Sequence, residues 1–136
     1  MNVLVALAWP NHVHHSRAIA WFSDNHGDGW ASCPVTETGF VRVSSNSRVI
    51  PEARTPGQAI ALLREIRRQP GHVFWSDDVS PATPDAAAFE RVVGYRQVTD
   101  AHLLTLALRK GGRLATFDRG VRDLVPDSPD AFELIP

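Results

Sequence analysis

The chain has 136 residues, 43% of them apolar and 21% charged, which suits a single soluble domain over residues 1–136 and excludes a disordered chain. Its formal net charge is −1 and its isoelectric point lies near 6.6, so no global basic field holds a polyanion non-specifically. No apolar run approaches the roughly 18 to 20 residues of a membrane span, and the lone Cys33 excludes an internal disulfide and fits a reducing, cytoplasmic setting.

The apolar run Val3–Ala8 has no basic flank, which argues against a signal peptide, and periodicity alone leaves it open between strand and helix. After Pro10, residues Asn11 to Ser23 read as a helix with Ile19 and Phe22 on one face. Asn25–Gly29 is a turn, and Trp30–Cys33 a short buried strand. Thr36 is placed to cap the next helix, which runs through Phe40 and Val41. A polar, proline-bounded loop over 44–54 leads to Thr55-Pro-Gly-Gln58, a capping box with proline at the first helical position. The helix behind it aligns Ala59, Ile60, Leu63 and Ile66 and stops near Pro70-Gly71. His72–Trp75 is a strand, Asp77–Pro84 a loop, and Asp85–Val93 a short helix. Thr99 is the expected cap of a helix carrying Leu103, Leu104, Ala107 and Leu108, and Gly111-Gly112 ends it. Arg113–Phe117 and Phe132–Ile135 complete the strands. Helices alternating with short, nearly all-apolar strands imply an α/β three-layer sandwich, its short parallel sheet buried on both faces.

In open parallel sheets the working crevice lies beyond the carboxyl ends of the strands. Glu37 follows the strand ending near Cys33, Asp118 directly follows Leu114–Phe117, and Asp100 opens a helix. Asp77 and Asp78 follow a strand as well and read as a solvated loop. Carboxylates crowded into one crevice repel each other unless a cation or protons intervene. Mg2+ prefers oxygen ligands and retains waters, a chemistry suited to phosphodiester hydrolysis. Simpler roles compete: Asp100 and Glu37 at helix starts gain from the macrodipole, and Asp118-Arg-Gly120 suits a turn.

The wording of these segments narrows the choice. Asn2-Val-Leu-Val-Ala-Leu-Ala-Trp9, the stretch Trp9–Ser16, Cys33–Arg42, Thr99–Leu104 and Leu114–Gly120 resemble, in order, the PIN-domain toxins of VapBC systems, in their mycobacterial-type VapC subfamily. The resemblance implies a metal-dependent endoribonuclease toxin of a type II toxin-antitoxin system, neutralised by a cognate VapB-type antitoxin and commonly homodimeric. Asp100 then matches a direct ligand of Mg2+, or of Mn2+ in its place. Glu37 and Asp118 complete the acidic set, and Asn2 and Thr116 match supporting positions. The family's opening Asp-x-Asn places its Asn at Asn2, so its Asp and the apolar first strand fall ahead of Met1. Asn2–Trp9 then reads as the start of the first helix, in a chain with a downstream start or in a degenerate copy.

Among the other groups, His12, His14 and His15 lack the i, i+4 spacing of a helical zinc pair and read as a surface feature. His102 reads as a partly buried, hydrogen-bonded ring, and Cys33 as packing. Arg64, Arg67 and Arg68 form a solvated face, while Arg42, Arg119 and Arg122 are candidates to meet phosphates. A receiver-like domain would also gather acids around Mg2+, but it needs a basic residue past its last strand, and the only lysine, Lys110, closes a helix. The remaining alternative is a non-catalytic PIN remnant that binds antitoxin or RNA without cleaving it.

Overall fold

The computed structural model describes residues 1–83 and 87–136. They form two compact units, residues 1–76 with Pro136 and residues 77–135.

In the first unit, α1 (Asn2–Ala8) shows that the opening apolar run is helical, with Val3, Leu4, Val5 and Ala6 buried. Residues 10–14 do not continue the helix. The His12 N–H donates to Trp9 O and that of His15 to His12 O, both at 2.9 Å, while the His14 N–H donates to His12 Nδ1 at 3.1 Å. These turns postpone α2 to His15–Asn25. Its buried residue is Ala18, and Ile19, expected on the apolar face, is 44% exposed. Phe22 instead meets Trp30 edge-on, with centroids 5.2 Å apart.

Strand β1 (Trp30–Ser32) leads directly into α3 (Pro34–Ser44). The cap is Cys33 rather than Thr36: Pro34 occupies the first turn, and Thr36 Oγ1 accepts from the Cys33 N–H at 2.9 Å. For α4 (Pro56–Arg67) the expected box is present, with Gln58 N–H donating to Thr55 Oγ1 at 3.3 Å and Thr55 N–H to Gln58 Oε1 at 3.0 Å. Ala59 and Leu63 are buried, whereas Ile60 lies at the exposed margin. The core of this unit gathers Leu4, Val5, Trp9, Phe40, Ile50 and Leu63. The Trp9 indole N–H donates to buried Ser44 Oγ at 3.1 Å, which satisfies the polar tip of an otherwise apolar anchor.

Gly71 makes the turn into β2 (His72–Phe74) possible. Its φ is +80°, and a Cβ there would stand 2.2 Å from His26 O. Its carbonyl accepts from the Trp30 N–H at 2.9 Å, and β2 pairs with β1 in parallel, Trp30 opposite His72 and Ser32 opposite Phe74.

In the second unit, α5 spans Ala87–Glu90, and the start of the helix expected from Asp85 lies outside the described residues. Helix α6 (Val98–Arg109) begins one residue ahead of Thr99, because the 3-10 turn Tyr95–Gln97 runs straight into it. Gly111, at φ +69°, and Gly112, donating to Ala107 O at 2.9 Å, end it as expected. Strands β3 (Leu114–Thr116) and β4 (Phe132–Leu134) pair in parallel. The core here is Ala88, Ala101, Leu104, Val121, Leu124, Val125 and Ala131.

The α/β class and the parallel pairing hold, with two corrections. The described strands form two separate two-stranded sheets rather than one sheet. They are also less buried than their composition implies: Val73 is 54% and Phe74 43% exposed. Apolar composition marks strands that tolerate burial; the neighbours decide whether they receive it. No helix among the described residues is long and apolar enough to cross a membrane.

Candidate active site

Two of the predicted acids meet in the second unit. Asp100 stands in the first turn of α6, and Asp118 lies two residues past the end of β3. Asp118 caps the 3-10 turn Arg119–Leu124: its Oδ1 accepts from the Gly120 N–H at 2.8 Å, and its own N–H donates to Thr116 Oγ1 at 3.1 Å. Thr116 is 2% exposed, so the hydroxyl beneath Asp118 is fixed by the strand that carries it. Burial, and then the negative charge of Asp118, push the pKa of Asp100 above its ordinary value. A partly buried carboxylate beside a second one favours either a proton or a cation. Arg119 and Arg122 lie exposed on the turn that Asp118 caps.

Glu37 sits in the first turn of α3, in the first unit, and is held at both oxygens. Ser32 Oγ donates to Oε1 at 2.5 Å, and the Arg67 guanidinium approaches Oε2 at 3.4 Å. Ser32 Oγ also lies 2.8 Å from His72 Nε2. Burial, and then the Arg67 charge, lower the pKa of His72, partly offset by Glu37. Sequence reasoning missed Ser32 and His72; Arg67 is exposed, as expected of a solvated face, but its contact with Glu37 was not foreseen. The available signal was positional: Ser32 ends the strand before Glu37, and β2 delivers His72 opposite Trp30. Asn2, the remaining supporting candidate, is the first residue of α1.

Asp77 is not a solvated loop residue. Its side chain is 9% exposed, with Oδ2 accepting from His102 Nε2 at 2.6 Å and Oδ1 accepting from the Val79 N–H at 3.1 Å. Burial opposes its ionisation, but the hydrogen bonds from His102 and Val79 and the charges of His102 and Lys110 outweigh it and hold the pKa below the usual value. His102 is thus partly buried and hydrogen-bonded, as its position suggested. His12, His14 and His15 split their contacts: Arg17 Nη1 donates to His14 Nδ1 at 3.0 Å, and His15 Nδ1–H donates to Ala6 O at 2.7 Å.

Among the described residues, no three His, Cys, Asp or Glu side chains are gathered closely enough to hold a metal ion. The donor chemistry of the Asp100–Asp118 pair nevertheless suits Mg2+, which is commonly held by one or two carboxylates while keeping several waters. These are hard oxygens, one of them destabilised as an anion by the other.

The PIN domain family matches residues 1–125. Ribonuclease VapC38 of Mycobacterium tuberculosis is 53% identical over 129 residues, covering 95% of this chain and 89% of that protein. Ribonuclease VapC39 of the same organism is 49% identical over 123 residues, 90% of this chain and 88% of its own length. Ribonuclease VapC44 is 42% identical over 121 residues, 89% of this chain and 84% of its own. With the parallel α/β architecture and acids at the ends of the strands, these likenesses establish the family: the chain belongs to the PIN-domain proteins, among the VapC ribonucleases.

Proposed function

We propose that this protein is a metal-dependent endoribonuclease, the toxin of a type II toxin-antitoxin pair, which cleaves RNA with Mg2+ or Mn2+ and is neutralised by a VapB-type antitoxin. The observation that carries the site is the Asp100–Asp118 pair, in which burial and like charge disfavour the Asp100 anion. Such a pair gains most from a divalent cation, and a bound Mg2+ would supply charge stabilisation to a phosphodiester and acidity to a water. The chain's own residues do the rest. Asp100 and Asp118 hold the cation, the Gly120 N–H keeps the Asp118 carboxylate oriented, and Thr116 anchors the backbone beneath it. The resemblance alone assigns Glu37 as a further acid and Asn2 as a supporting residue. Arg119 and Arg122 are exposed where a phosphate backbone can be met by charge-assisted hydrogen bonds.

The test is Mg2+-dependent cleavage of single-stranded RNA by the wild type, Asp100→Asn and Asp118→Asn. Loss of a charge that acts in the transition state lowers the rate by at least about 100-fold. Full cleavage by Asp100→Asn would defeat the assignment. A wild type that binds antitoxin yet never cleaves would be the non-catalytic remnant.

A further inference from the structure

Tyr95 is 81% exposed, although an aromatic ring normally contributes its large area to a core or an interface. The turn that carries it is held firmly. Gln97 Oε1 accepts from the Val93 N–H at 2.9 Å and from the Gly94 N–H at 3.1 Å, and the Gln97 N–H donates back to Gly94 O at 3.0 Å. The Tyr95 carbonyl accepts from the Val98 N–H, so the 3-10 turn and α6 share one hydrogen-bond ladder. Asp100 stands in the first turn of that helix, about 8 to 10 Å further along the axis. Arg96 leaves the faces of the Tyr95 ring open. Its Nε–H donates to the Tyr95 hydroxyl at 3.3 Å, and its guanidinium carbon stands 5.8 Å from the ring centre. A group stacked on a face would stand at about 3.5 to 4 Å, so the guanidinium lies out at the hydroxyl end. Arg67, Arg68, Arg91, Arg109 and Arg113 each meet a carboxylate, whereas among the described residues Arg96 meets a phenol. Two further exposed arginines, Arg119 and Arg122, stand on the turn capped by Asp118, whose charge reaches Asp100.

We propose that Tyr95 and Arg96 form a platform for single-stranded RNA, the ring stacking on an unpaired base and the guanidinium meeting a neighbouring phosphate. The proposal rests on the reading of the protein as a ribonuclease and names where its substrate strand is held. An open aromatic ring beside a cation suits a strand whose bases are unstacked and whose backbone is anionic. Exposed arginines around the same acids favour a polyanion over an apolar protein face. Every base offers a π-face, so this contact sets the affinity and position of the strand rather than its sequence.

The experiment follows metal-free binding of a fluorescent single-stranded RNA of mixed sequence by anisotropy, across a range of salt, with Mg2+-dependent cleavage measured beside it. The wild type is compared with Tyr95→Ala, Tyr95→Phe and Arg96→Gln. Tyr95→Ala is expected to weaken binding by about 5- to 150-fold, while Tyr95→Phe, which keeps the ring, stays within about threefold of the wild type. Arg96→Gln should lower the slope of log affinity against log salt by about 0.7, the share of one phosphate on a single strand, and Tyr95→Ala should leave that slope unchanged. In cleavage, Tyr95→Ala should raise KM with little change in kcat, because the ring touches no reacting atom. A merely structural role for the ring would shift the melting temperature instead. Wild-type RNA affinity in Tyr95→Ala, with cleavage that still depends on Asp100, overturns the platform alone. So does a loss confined to antitoxin binding, which would make the ring part of a protein interface. A wild type that neither binds nor cuts RNA overturns the reading on which the platform rests.

Discussion

Asp100 and Asp77 face the same solvent pH with opposite consequences. The pKa of Asp100 is raised, so relative to the unfolded chain its native form favours the proton. Its contribution to stability is therefore full below the unfolded value of 3.8 and is lost as pH rises through the raised native value. In metal-free protein, Asp100→Asn should melt at a higher temperature than the wild type at neutral pH, and that advantage should vanish towards pH 3. Equal melting temperatures at pH 7 would remove the repulsion from the account. Asp77 is depressed, so its stabilisation is present above 3.8 and lost as pH falls through its lower native value. Replacing Asp77 by Asn exchanges a charge-assisted bond to His102 for a neutral one. The cost should be about 1 kcal/mol in urea unfolding near pH 7, the difference between a charge-assisted and a neutral bond, and should shrink in acid.

At the scale of elements, the turn ahead of β2 concentrates the constraints. Gly71 combines a positive φ with a carbonyl 2.2 Å from where its Cβ would stand, so no L-residue fits without moving the His26 backbone. Gly71→Ala should destabilise the protein by about 1 to 3 kcal/mol from strain alone. It should also weaken the Trp30 N–H to Gly71 O bond that starts the β1–β2 ladder. A melting temperature unchanged within a degree would count against it. The expected damage extends to His72, the next residue along, and through it to the carboxylate of Glu37.

For the molecule as a whole, two lowered histidines set the acid response. Burial, then His14 and His15, lower the pKa of His12, while burial and then Arg67 lower that of His72. Above the unfolded value of 6.5 both are neutral in either state and cost nothing. As pH falls through 6.5 the unfolded chain takes up protons that the native one resists, and the penalty is complete below the native values. Thermal unfolding at pH 7.5, 6.5 and 5.5 should show a falling midpoint, and His12→Gln with His72→Gln should flatten that fall. In the proposed toxin-antitoxin reading, light scattering should give a dimer at micromolar concentration. Adding the antitoxin at a hundredfold excess over its Kd should stabilise the fold by about 2.7 kcal/mol. A monomer whose melting temperature ignores the antitoxin would contradict both expectations.

Local chemistry made much of this protein legible from its sequence. Thr55-Pro-Gly-Gln58 specifies a helix start because its own side chains satisfy the first free N–H groups, and Gly111-Gly112 ends a helix because of what glycine permits. The placement of Asp100 in a first helical turn and Asp118 near a strand end follows from the same short-range rules, whereas the helical state of Asn2–Ala8 is left open by periodicity and suggested only by the family resemblance. Tertiary structure decided the rest. Turn bonds around His12 delayed α2, Cys33 displaced Thr36 as cap, and the 3-10 turn before Val98 moved the helix start off Thr99. Asp77 left the solvent for His102, which lies 25 residues away, and Arg67, still exposed on its helix, reaches Glu37, which lies 30 away. Neither meeting is encoded in the spacing of its own segment. A hydrogen bond between distant residues depends on which surfaces pack together, and that is settled by the apolar cores and strand register.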